Sequence, residues 1–307
     1  MNIKLYLCTG LILIFTFIGC SKTDKVKPNG NLKIVATTGM IGDAVKVITD
    51  GNVNLTTLMG PGVDPHLYKT TKSDMDNLAG ADIIFFNGLH LEAKMAEILH
   101  KMSSSKNTVP VARSIDTTLL RYPDVYQGVP DPHIWFDISL WKLAVTEIGE
   151  ELIKVDSSNA SVYRKNLDAY QDSLTSLHNE IIAKINTIPE SQRILVTAHD
   201  AFGYFGRAYQ IKVDGLQGMS TVSEAGLYDV TEMIDYLVEN KIKAVFVESS
   251  VPKKAIEAVV EGCNNRNHEI IIGGELFSDA MGTEGTPEGT YLGMVRHNVN
   301  TIVNALK

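Results

Sequence analysis

Residues 158–187, SNASVYRKNLDAYQDSLTSLHNEIIAKINT, contain neither glycine nor proline and separate two similar halves of the chain. Apolar side chains recur here in steps of three and four, at positions 163, 167, 170, 174, 177, 181, 185 and 188. This spacing is typical of one amphipathic helix, which Ser157 or Ser158 would cap and Pro189 would end. A helix of about 30 residues would be roughly 45 Å long, enough to run along two lobes. The simpler alternative is an ordinary helix of the second half alone.

On both sides of this helix, short apolar or β-branched runs alternate with helical patterns such as residues 40–49 and 92–102. The runs are residues 32–38, 53–59, 82–87 and 108–112 in the first half, and 193–197, 211–214, 243–248 and 269–273 in the second. Several are apolar at consecutive positions, as in parallel strands buried on both faces. The alternation predicts an α/β fold with two lobes, each a mainly parallel four-stranded sheet with flanking helices. The expected divisions are an N-terminal lobe at 32–157, a long rigid linker helix at 158–188 and a C-terminal lobe at 189–307.

The first 31 residues are typical of an exported, lipid-anchored protein. A positive start precedes an apolar run at residues 5–18 that is short for a membrane span, as in a secretory signal peptide. The run leads into Phe17-Ile18-Gly19-Cys20, which resembles the bacterial lipobox, although Phe17 stands where leucine is usual. We expect residues 1–19 to be a lipoprotein signal peptide, Cys20 to carry the lipid outside the cytoplasm, and residues 20–31 to be a flexible tether. An uncleaved N-terminal anchor is the alternative.

Composition narrows the classes of partner. The net charge of −8 and the lack of a basic cluster argue against nucleic acid. With Cys8 in the signal peptide and Cys20 lipidated, Cys263 is the only thiol left, so no internal disulfide is expected. Neither a later apolar run of membrane length nor a phosphate-binding G-x-x-x-x-G-K-[ST] loop occurs. A role in transport would therefore need separate membrane and ATPase partners, and we expect the chain itself to be a monomer.

Three of the eight histidines have a setting that suits a binding site. His66 and His133 each end the tripeptide Asp-Pro-His, where proline restricts the preceding residue and favours presentation from a rigid loop. His199 follows the apolar run 193–197, and open α/β sheets bind ligands beyond the carboxyl ends of their strands. These three are candidates for one cleft, although each Asp-Pro-His could be only an Asx turn with an incidental histidine. The others, read as structural or surface residues, are His90, His100, His178, His268 and His297.

Six stretches of the chain form a recognisable series. They are GPGVDPHLYKTT (60–71), FNGLHLE (86–92), DPHIWFD (131–137), VTAHDAFGYFGRAYQI (196–211), VFVESSVPKK (245–254) and ELFSDAMGTEGTPEGTYLGMVRHNV (275–299). Together, and in the same order, they resemble the zinc and manganese solute-binding lipoproteins of bacterial metal ABC transporters (cluster A-I). The stretches are spread over nearly the whole chain after residue 32. The resemblance implies two α/β lobes joined by one long helix, with one metal ion held between them.

The resemblance also implies which residues bind the metal. The ligands would be His66, His133, His199 and Asp279. Three imidazoles and one carboxylate suit zinc, and a closed set of four fits carrying a metal better than catalysis. From spacing alone, Asp279 reads equally well as a helix cap, and Glu275 or Glu284 would be no worse candidates. Glu248, at the end of the run 243–248, is a candidate for orienting a ligand from outside the metal's own coordination.

Two features bear on the choice of metal. Relatives dedicated to zinc often carry a histidine-rich acidic loop before the second Asp-Pro-His, whereas residues 114–132 contain no histidine. Relatives dedicated to manganese typically have glutamate at the position of His199. The resemblance therefore implies Zn²⁺ or Mn²⁺ as the transported ligand, with the affinity order at a nitrogen-rich site favouring zinc.

The resulting hypothesis is an extracytoplasmic receptor, not an enzyme, that delivers a divalent metal to an ABC permease and its ATPase subunit. The main alternative is an extracytoplasmic metal-dependent hydrolase, which would need an open metal position and a general base such as Asp200 or Glu248. A serine hydrolase is disfavoured because no G-x-S-x-G motif occurs. Some relatives are described as adhesins for cell adhesion, but the chain has no separate adhesive segment.

Overall fold

A four-stranded parallel sheet forms the first part of the molecule. The computed structural model describes residues 32–307, so the predicted signal peptide, tether and lipidated Cys20 lie outside the described residues. The sheet has the order β2-β1-β3-β4. Its strands are β1 (Lys33–Ala36), β2 (Asn54–Thr57), β3 (Ile83–Phe86) and β4 (Asn107–Pro110). All four overlap predicted runs. Consecutive apolar residues mark the central strands β1 and β3, which are almost entirely buried, whereas the edge strands β2 and β4 are only partly buried.

Helices cover this sheet and complete the first lobe, as we call the part before the long helix. They are α1 (Gly39–Thr49), α2 (Lys72–Gly80), α3 (Ala96–Ser103) and α4 (Ile138–Val155). Helix α1 buries one apolar face that includes Met40, Ile41 and Val45. Helix α2 begins with a capping box, in which Thr71 and Asp74 each accept a hydrogen bond from the other's backbone N–H. Local sequence thus fixes where α2 begins, while burial fixes the orientation of α1.

The second lobe repeats the strand–helix rhythm with a different hydrogen-bonding pattern. Its strands are β5 (Ile194–His199), β6 (Lys212–Gln217), β7 (Ala244–Glu248) and β8 (Ile271–Leu276). Its helices are α6 (Gly203–Tyr209), α7 (Leu227–Glu239), α8 (Lys254–Asn265) and α9 (Tyr291–Leu306). The strands form two parallel pairs, β5-β6 and β7-β8, with β5 lying beside β7, instead of the single four-stranded sheet that we expected. The predicted α/β class, with parallel sheets flanked by helices, is confirmed.

The long helix α5 (Ala160–Ile185) is 26 residues long. The prediction of Ser157 or Ser158 as its cap is wrong: residues Ser157–Asn159 form a 3₁₀ turn, held by hydrogen bonds to Asp156, and Asn159 is the residue before the helix. The buried stripe of α5 repeats the predicted spacing and consists of Tyr163, Leu167, Tyr170, Leu174, Leu177, Ile181 and Ile185. Helix α5 packs against α1 and α4 of the first lobe and against α6 and α9 of the second. It therefore connects the lobes along their sides, as a linker helix would.

One hydrophobic cluster extends through both lobes and α5. It contains residues as distant in sequence as Ile34 on β1, Leu174 on α5 and Ile302 on α9. Gly149 of α4 allows the close approach of α5, since a Cβ atom there would lie 2.7 Å from Leu167. Within residues 32–307, no helix combines the length and apolar character needed to cross a membrane.

Candidate metal centre

Both Asp-Pro-His tripeptides form the same local turn. The backbone N–H of His66 donates to Asp64 Oδ1 at 2.8 Å, and that of His133 donates to Asp131 Oδ1 at 3.0 Å. These are Asx turns, stabilised by an aspartate that accepts from the backbone two residues later. Each turn fixes the backbone of its histidine, and both imidazoles are buried. An Asx turn and the burial of its histidine therefore occur together in both tripeptides.

The other two predicted ligands come from the carboxyl ends of strands in the second lobe. His199 is the last residue of β5 and not a loop residue, because the strand extends two residues beyond the predicted run. Asp279 lies in a bend three residues after β8. No helix begins at Asp279, so the reading of this residue as a helix cap is wrong. Parallel strands β5, β7 and β8 thus bring their carboxyl ends towards the first lobe.

All four residues meet in one buried cluster. Each offers a ligand atom, and these four atoms lie within 4.8 Å of one another. The carboxylate of Asp279 is central: its oxygens lie 3.5 Å from His66 Nε2, 3.4 Å from His133 Nε2 and 3.3 Å from His199 Nε2. For metal–ligand bonds of about 2 Å, the edges of a coordination tetrahedron are about 3.3 Å long. The three separations between Asp279 and the histidines therefore match the edges of a tetrahedral zinc site, and no pair of the four ligand atoms is more than 4.8 Å apart.

Hydrogen bonding gives an independent sign of a ligand. The three Nε2 atoms and both Asp279 oxygens are buried, and none of these five atoms has a hydrogen-bond partner. Buried polar atoms in proteins almost always have partners, because an unpaired one costs free energy. A divalent cation at the centre of the cluster would satisfy all of them together.

In two of the imidazoles, the Nδ1 atom, which faces away from the centre of the cluster, lies close to a carboxylate. Asp131 Oδ1 lies 2.7 Å from His133 Nδ1, and Glu248 Oε2 lies 2.5 Å from His199 Nδ1. Glu248 also accepts a 2.8 Å hydrogen bond from the backbone N–H of His199 through Oε1. A carboxylate at Nδ1 keeps the proton on that nitrogen and directs the Nε2 lone pair to the metal. Glu248 thus lies where the sequence suggested, whereas Asp131 was expected only to shape the turn.

The imidazoles differ in their affinity for protons. Burial outweighs the attraction of Asp279 at His66 and lowers its pKa to about 4. Burial also opposes the charged form of His133, but Asp131 and Asp279 prevail and raise its pKa to about 9. Against the same burial, Glu248 and Asp279 hold the pKa of His199 well above its usual value. The cluster favours positive charge at two of its three imidazoles, as suits a site for a cation.

The carboxylate at the centre remains ionised. Burial alone would raise the pKa of Asp279, yet His199 and His133 hold it well below its usual range. The two carboxylates that spacing did not exclude lie elsewhere: Glu284 pairs with Lys46 and Glu275 with Lys253, all with substantially exposed side chains. Asp279 differs from Glu275 and Glu284 in being buried, and the spacing of residues in the sequence does not predict that burial.

The candidates for a general base are otherwise engaged. Glu248 accepts the backbone N–H of His199 through Oε1, and its Oε2 lies 2.5 Å from His199 Nδ1. Asp200 faces Arg121, whose Nη1 lies 3.3 Å from Asp200 Oδ2. Nothing in this arrangement supports the hydrolase alternative.

Sequence reasoning missed several side chains that join the lobes around the cluster. Arg121 contacts Asp131 as well as Asp200, and the hydroxyl of Thr221 donates to Asp64. Arg121 and Thr221 lie in irregular segments without a recognisable motif. Among the residues in these contacts, only the aspartates of the two Asp-Pro-His tripeptides belong to the motif that we recognised. Each uses Oδ1 in its own turn and Oδ2 in the contact with Arg121 or Thr221.

Comparisons with known proteins agree with this geometry. The family model described as "Zinc-uptake complex component A periplasmic" (ZnuA) matches residues 34–305. The chain is 48% identical over 299 residues to the manganese-binding lipoprotein MntA of Bacillus subtilis (strain 168), covering 97% of each chain. It is 45% identical over 300 residues to the zinc-binding protein TroA of Treponema pallidum (strain Nichols), covering 98% of this chain and 96% of TroA.

A solved structure extends the likeness to three dimensions. The structure described as the periplasmic zinc binding protein TroA from Treponema pallidum superposes with a TM-score of 0.88 at 47% identity. The match covers 90% of this chain and 99% of that one. The two-lobe fold is therefore shared over almost the whole described part of the molecule. The chain belongs to the ZnuA family of periplasmic zinc-uptake components.

Proposed function

We propose that this protein is the extracytoplasmic substrate-binding component of an ABC transporter. It captures one divalent transition metal between its lobes with His66, His133, His199 and Asp279, and delivers it to a membrane permease driven by an ATPase subunit. The observation that carries the proposal is the convergence of four buried residues whose three Nε2 atoms and two carboxylate oxygens have no hydrogen-bond partners. Glu248 acts behind His199 by fixing the orientation of its ring.

The ligand set supports zinc or manganese as cargo. Relatives of similar identity are named for either metal. Three imidazole nitrogens favour zinc by the general affinity order, while carboxylate oxygen is accepted by both metals. Whether manganese is also carried depends on supply and on how far Asp279 can bind through both oxygens.

The decisive experiment combines metal content with turnover. Protein purified from its native envelope is analysed for bound metals, and metal-free protein is titrated with zinc and manganese in competition with a chelator. One tightly bound metal per chain, without hydrolysis of ester, phosphate or peptide substrates, supports the receptor. Turnover that depends on the bound metal, or the lack of stoichiometric binding, would contradict it.

Export and anchoring form a separate part of the proposal. Cys20 carries the lipid, and the protein acts as a tethered monomer outside the cytoplasm; the related MntA and MtsA proteins are named lipoproteins. Cys20→Ala should move the protein from the membrane fraction to the soluble extracytoplasmic fraction. The same variant should bind metal like the wild type, since residue 20 is 46 residues before the first proposed ligand, His66, in the sequence. Continued membrane association of Cys20→Ala would argue for an uncleaved anchor.

A further inference from the structure

Two side chains cross between the lobes in opposite directions close to the metal centre. Arg121 of the first lobe extends its guanidinium to Asp131 Oδ2 at 2.8 Å and to Asp200 of the second lobe at 3.3 Å. Tyr204 of α6 extends its buried hydroxyl back into the first lobe. There it accepts a hydrogen bond from the backbone N–H of Arg121 at 3.0 Å and donates to the carbonyl of Asp131 at 2.9 Å. We call Arg121, Asp131, Asp200 and Tyr204 the inter-lobe clasp.

The clasp adjoins a proposed ligand on each side. Asp131 Oδ1 faces His133 Nδ1, so the carboxylate that orients this imidazole is shared with Arg121. Asp200 directly follows His199 in the chain. The side chain of Asp131 is fully buried, and a buried carboxylate depends on a positive partner to remain ionised and in place. Arg121 therefore fixes the carboxylate of Asp131, which in turn orients His133. The position of the Arg121 guanidinium is set partly by Asp200, in the lobe that carries His199.

The guanidinium of Arg121 fits between the lobes because the residue that it contacts in α6 is a glycine. Gly203 is the first residue of α6, and a Cβ atom on it would lie only 2.1 Å from Arg121 Nη1. The guanidinium thus rests against bare backbone of the second lobe. Any larger residue at position 203 would displace the guanidinium, which is the movable end of a long side chain, while all four polar groups of the clasp remained in the sequence.

We propose that Arg121 is a positioning residue that couples closure of the lobes to retention of the metal. With the lobes together, Asp200 and Gly203 place the guanidinium against Asp131, which holds His133 in the orientation that the metal requires. When the lobes separate, Arg121 loses Asp200, Asp131 loses the bridge through Tyr204, and His133 is less firmly oriented. The inference rests on the proposed function, and it identifies residues outside the ligand set that govern the rate of release.

The test compares zinc dissociation into excess chelator for four proteins: wild type, Arg121→Gln, Gly203→Ala and the control Arg113→Gln. Arg113 is a matched control because it also bridges two carboxylates, Glu147 and Glu151, but entirely within the first lobe. Loss of a partner behind a metal-binding histidine typically weakens binding about 10- to 100-fold. We expect zinc to leave Arg121→Gln and Gly203→Ala about tenfold faster than wild type, and Arg113→Gln to stay within about twofold.

A second readout separates positioning from general destabilisation. Co²⁺ in place of zinc gives a visible absorption spectrum that depends on ligand geometry. We expect this spectrum to change in Arg121→Gln and Gly203→Ala, while thermal unfolding of the metal-free proteins resembles that of the control. Arg121→Lys, which keeps the charge but not the fork, should lie between wild type and Arg121→Gln.

The outcomes distinguish the inference from the function on which it rests. If wild type holds one zinc per chain and both clasp variants release it at the wild-type rate, the role of Arg121 is overturned and the receptor function stands. The role of Arg121 is likewise overturned if release accelerates only in proportion to lost stability, with an unchanged Co²⁺ spectrum. If wild type binds no zinc or manganese, it is the proposed function that fails.

Discussion

The hydroxyl of Thr221 donates a 2.5 Å hydrogen bond to Asp64 Oδ2, joining a loop of the second lobe to the turn that presents His66. The other oxygen of Asp64 accepts from the backbone N–H of His66. Asp64 therefore contacts the backbone of His66 with one oxygen and the second lobe with the other. Asp131 does the same for His133, reaching the second lobe through Arg121. Both Asp-Pro-His turns are connected in this way to the second lobe.

Replacing Thr221 with valine should speed the release of metal. Valine keeps the shape of the side chain but cannot donate to Asp64, and a hydrogen bond to a charged group contributes about 1.5–3 kcal/mol. We expect dissociation of zinc into a chelator to become about tenfold faster, which corresponds to about 1.4 kcal/mol. Thr231→Val is the control, because the Thr231 hydroxyl bonds only within its own helix. Equal rates in the two variants would show that the Thr221–Asp64 bond does not restrain opening.

Removing His199 should affect both binding and stability. His199→Ala deletes a ligand atom and leaves Glu248 buried without its partner, so we expect a loss of at least about 100-fold in zinc affinity and of about 1–3 kcal/mol in the unfolding free energy. The effect on stability is expected because His199 is a buried strand residue. Chelator competition and denaturant unfolding measure the two effects. His100→Ala, at an exposed position of α3, should change neither; near-wild-type affinity in His199→Ala would remove His199 from the site.

Glu248→Gln should weaken binding without emptying the space behind His199. Glutamine keeps the shape and one acceptor for the backbone N–H of His199, but it lacks the charge that faces Nδ1. We expect zinc affinity to fall about 10- to 100-fold. Glu275→Gln, at an exposed position paired with Lys253, is the matched control. Titration of both variants beside wild type decides whether the carboxylate at Nδ1 matters.

Metal binding should release protons at neutral pH. In the metal-free protein the pKa of His133 is about 9 and that of His199 is raised well above its usual value, so zinc must displace protons from both nitrogens. The pKa of His66, about 4, means that this ligand competes with protons only in acid. We expect the zinc affinity to rise between about pH 6 and 9 by one to two powers of ten per pH unit. Calorimetry in buffers of different ionisation enthalpy counts the protons; a count of zero at pH 7 would contradict the assigned charges.

The stability of the metal-free protein should fall in mild alkali. The pKa of His133 in the folded protein, about 9, exceeds the unfolded value of about 6.5. Its contribution is therefore fully present below about pH 6.5 and disappears as the pH rises through 9, a loss of roughly 3 kcal/mol. Thermal unfolding with a chelator present, at several pH values from 6 to about 10, measures this loss. Zinc-loaded protein should not show it, since His133 is then already deprotonated; parallel curves for the two forms would count against the prediction.

Local patterns predicted most of the fold because they record burial directly. The stripe from Tyr163 to Ile185 and the apolar runs of the strands need no knowledge of distant partners. The start of α5 was misplaced because Ser157–Asn159 form a 3₁₀ turn that is hydrogen-bonded to Asp156. In the sequence, the serines of this turn cannot be distinguished from serines that cap a helix.

The site was predictable only in part. Proline and the carboxyl ends of strands made the three histidines candidates, but Asp279 required the family resemblance because its burial results from the meeting of two lobes. Arg121 was not recognised, since it belongs to no motif and its partner Asp200 lies 79 residues away. Contacts between lobes join residues far apart in the chain, so they produce no periodic pattern from which a single sequence could predict them.

The shared hydrophobic cluster has a consequence for how the protein folds. Helix α5 buries its apolar stripe against helices of both lobes, and the same cluster includes strands from each. Cutting the chain on either side of α5 would leave part of this apolar surface facing water, so neither fragment should be stable by itself. We therefore expect calorimetry to give one unfolding transition and a newly synthesised chain to become protease-resistant only once α9 has docked. The two lobes share one core and should fold as one unit.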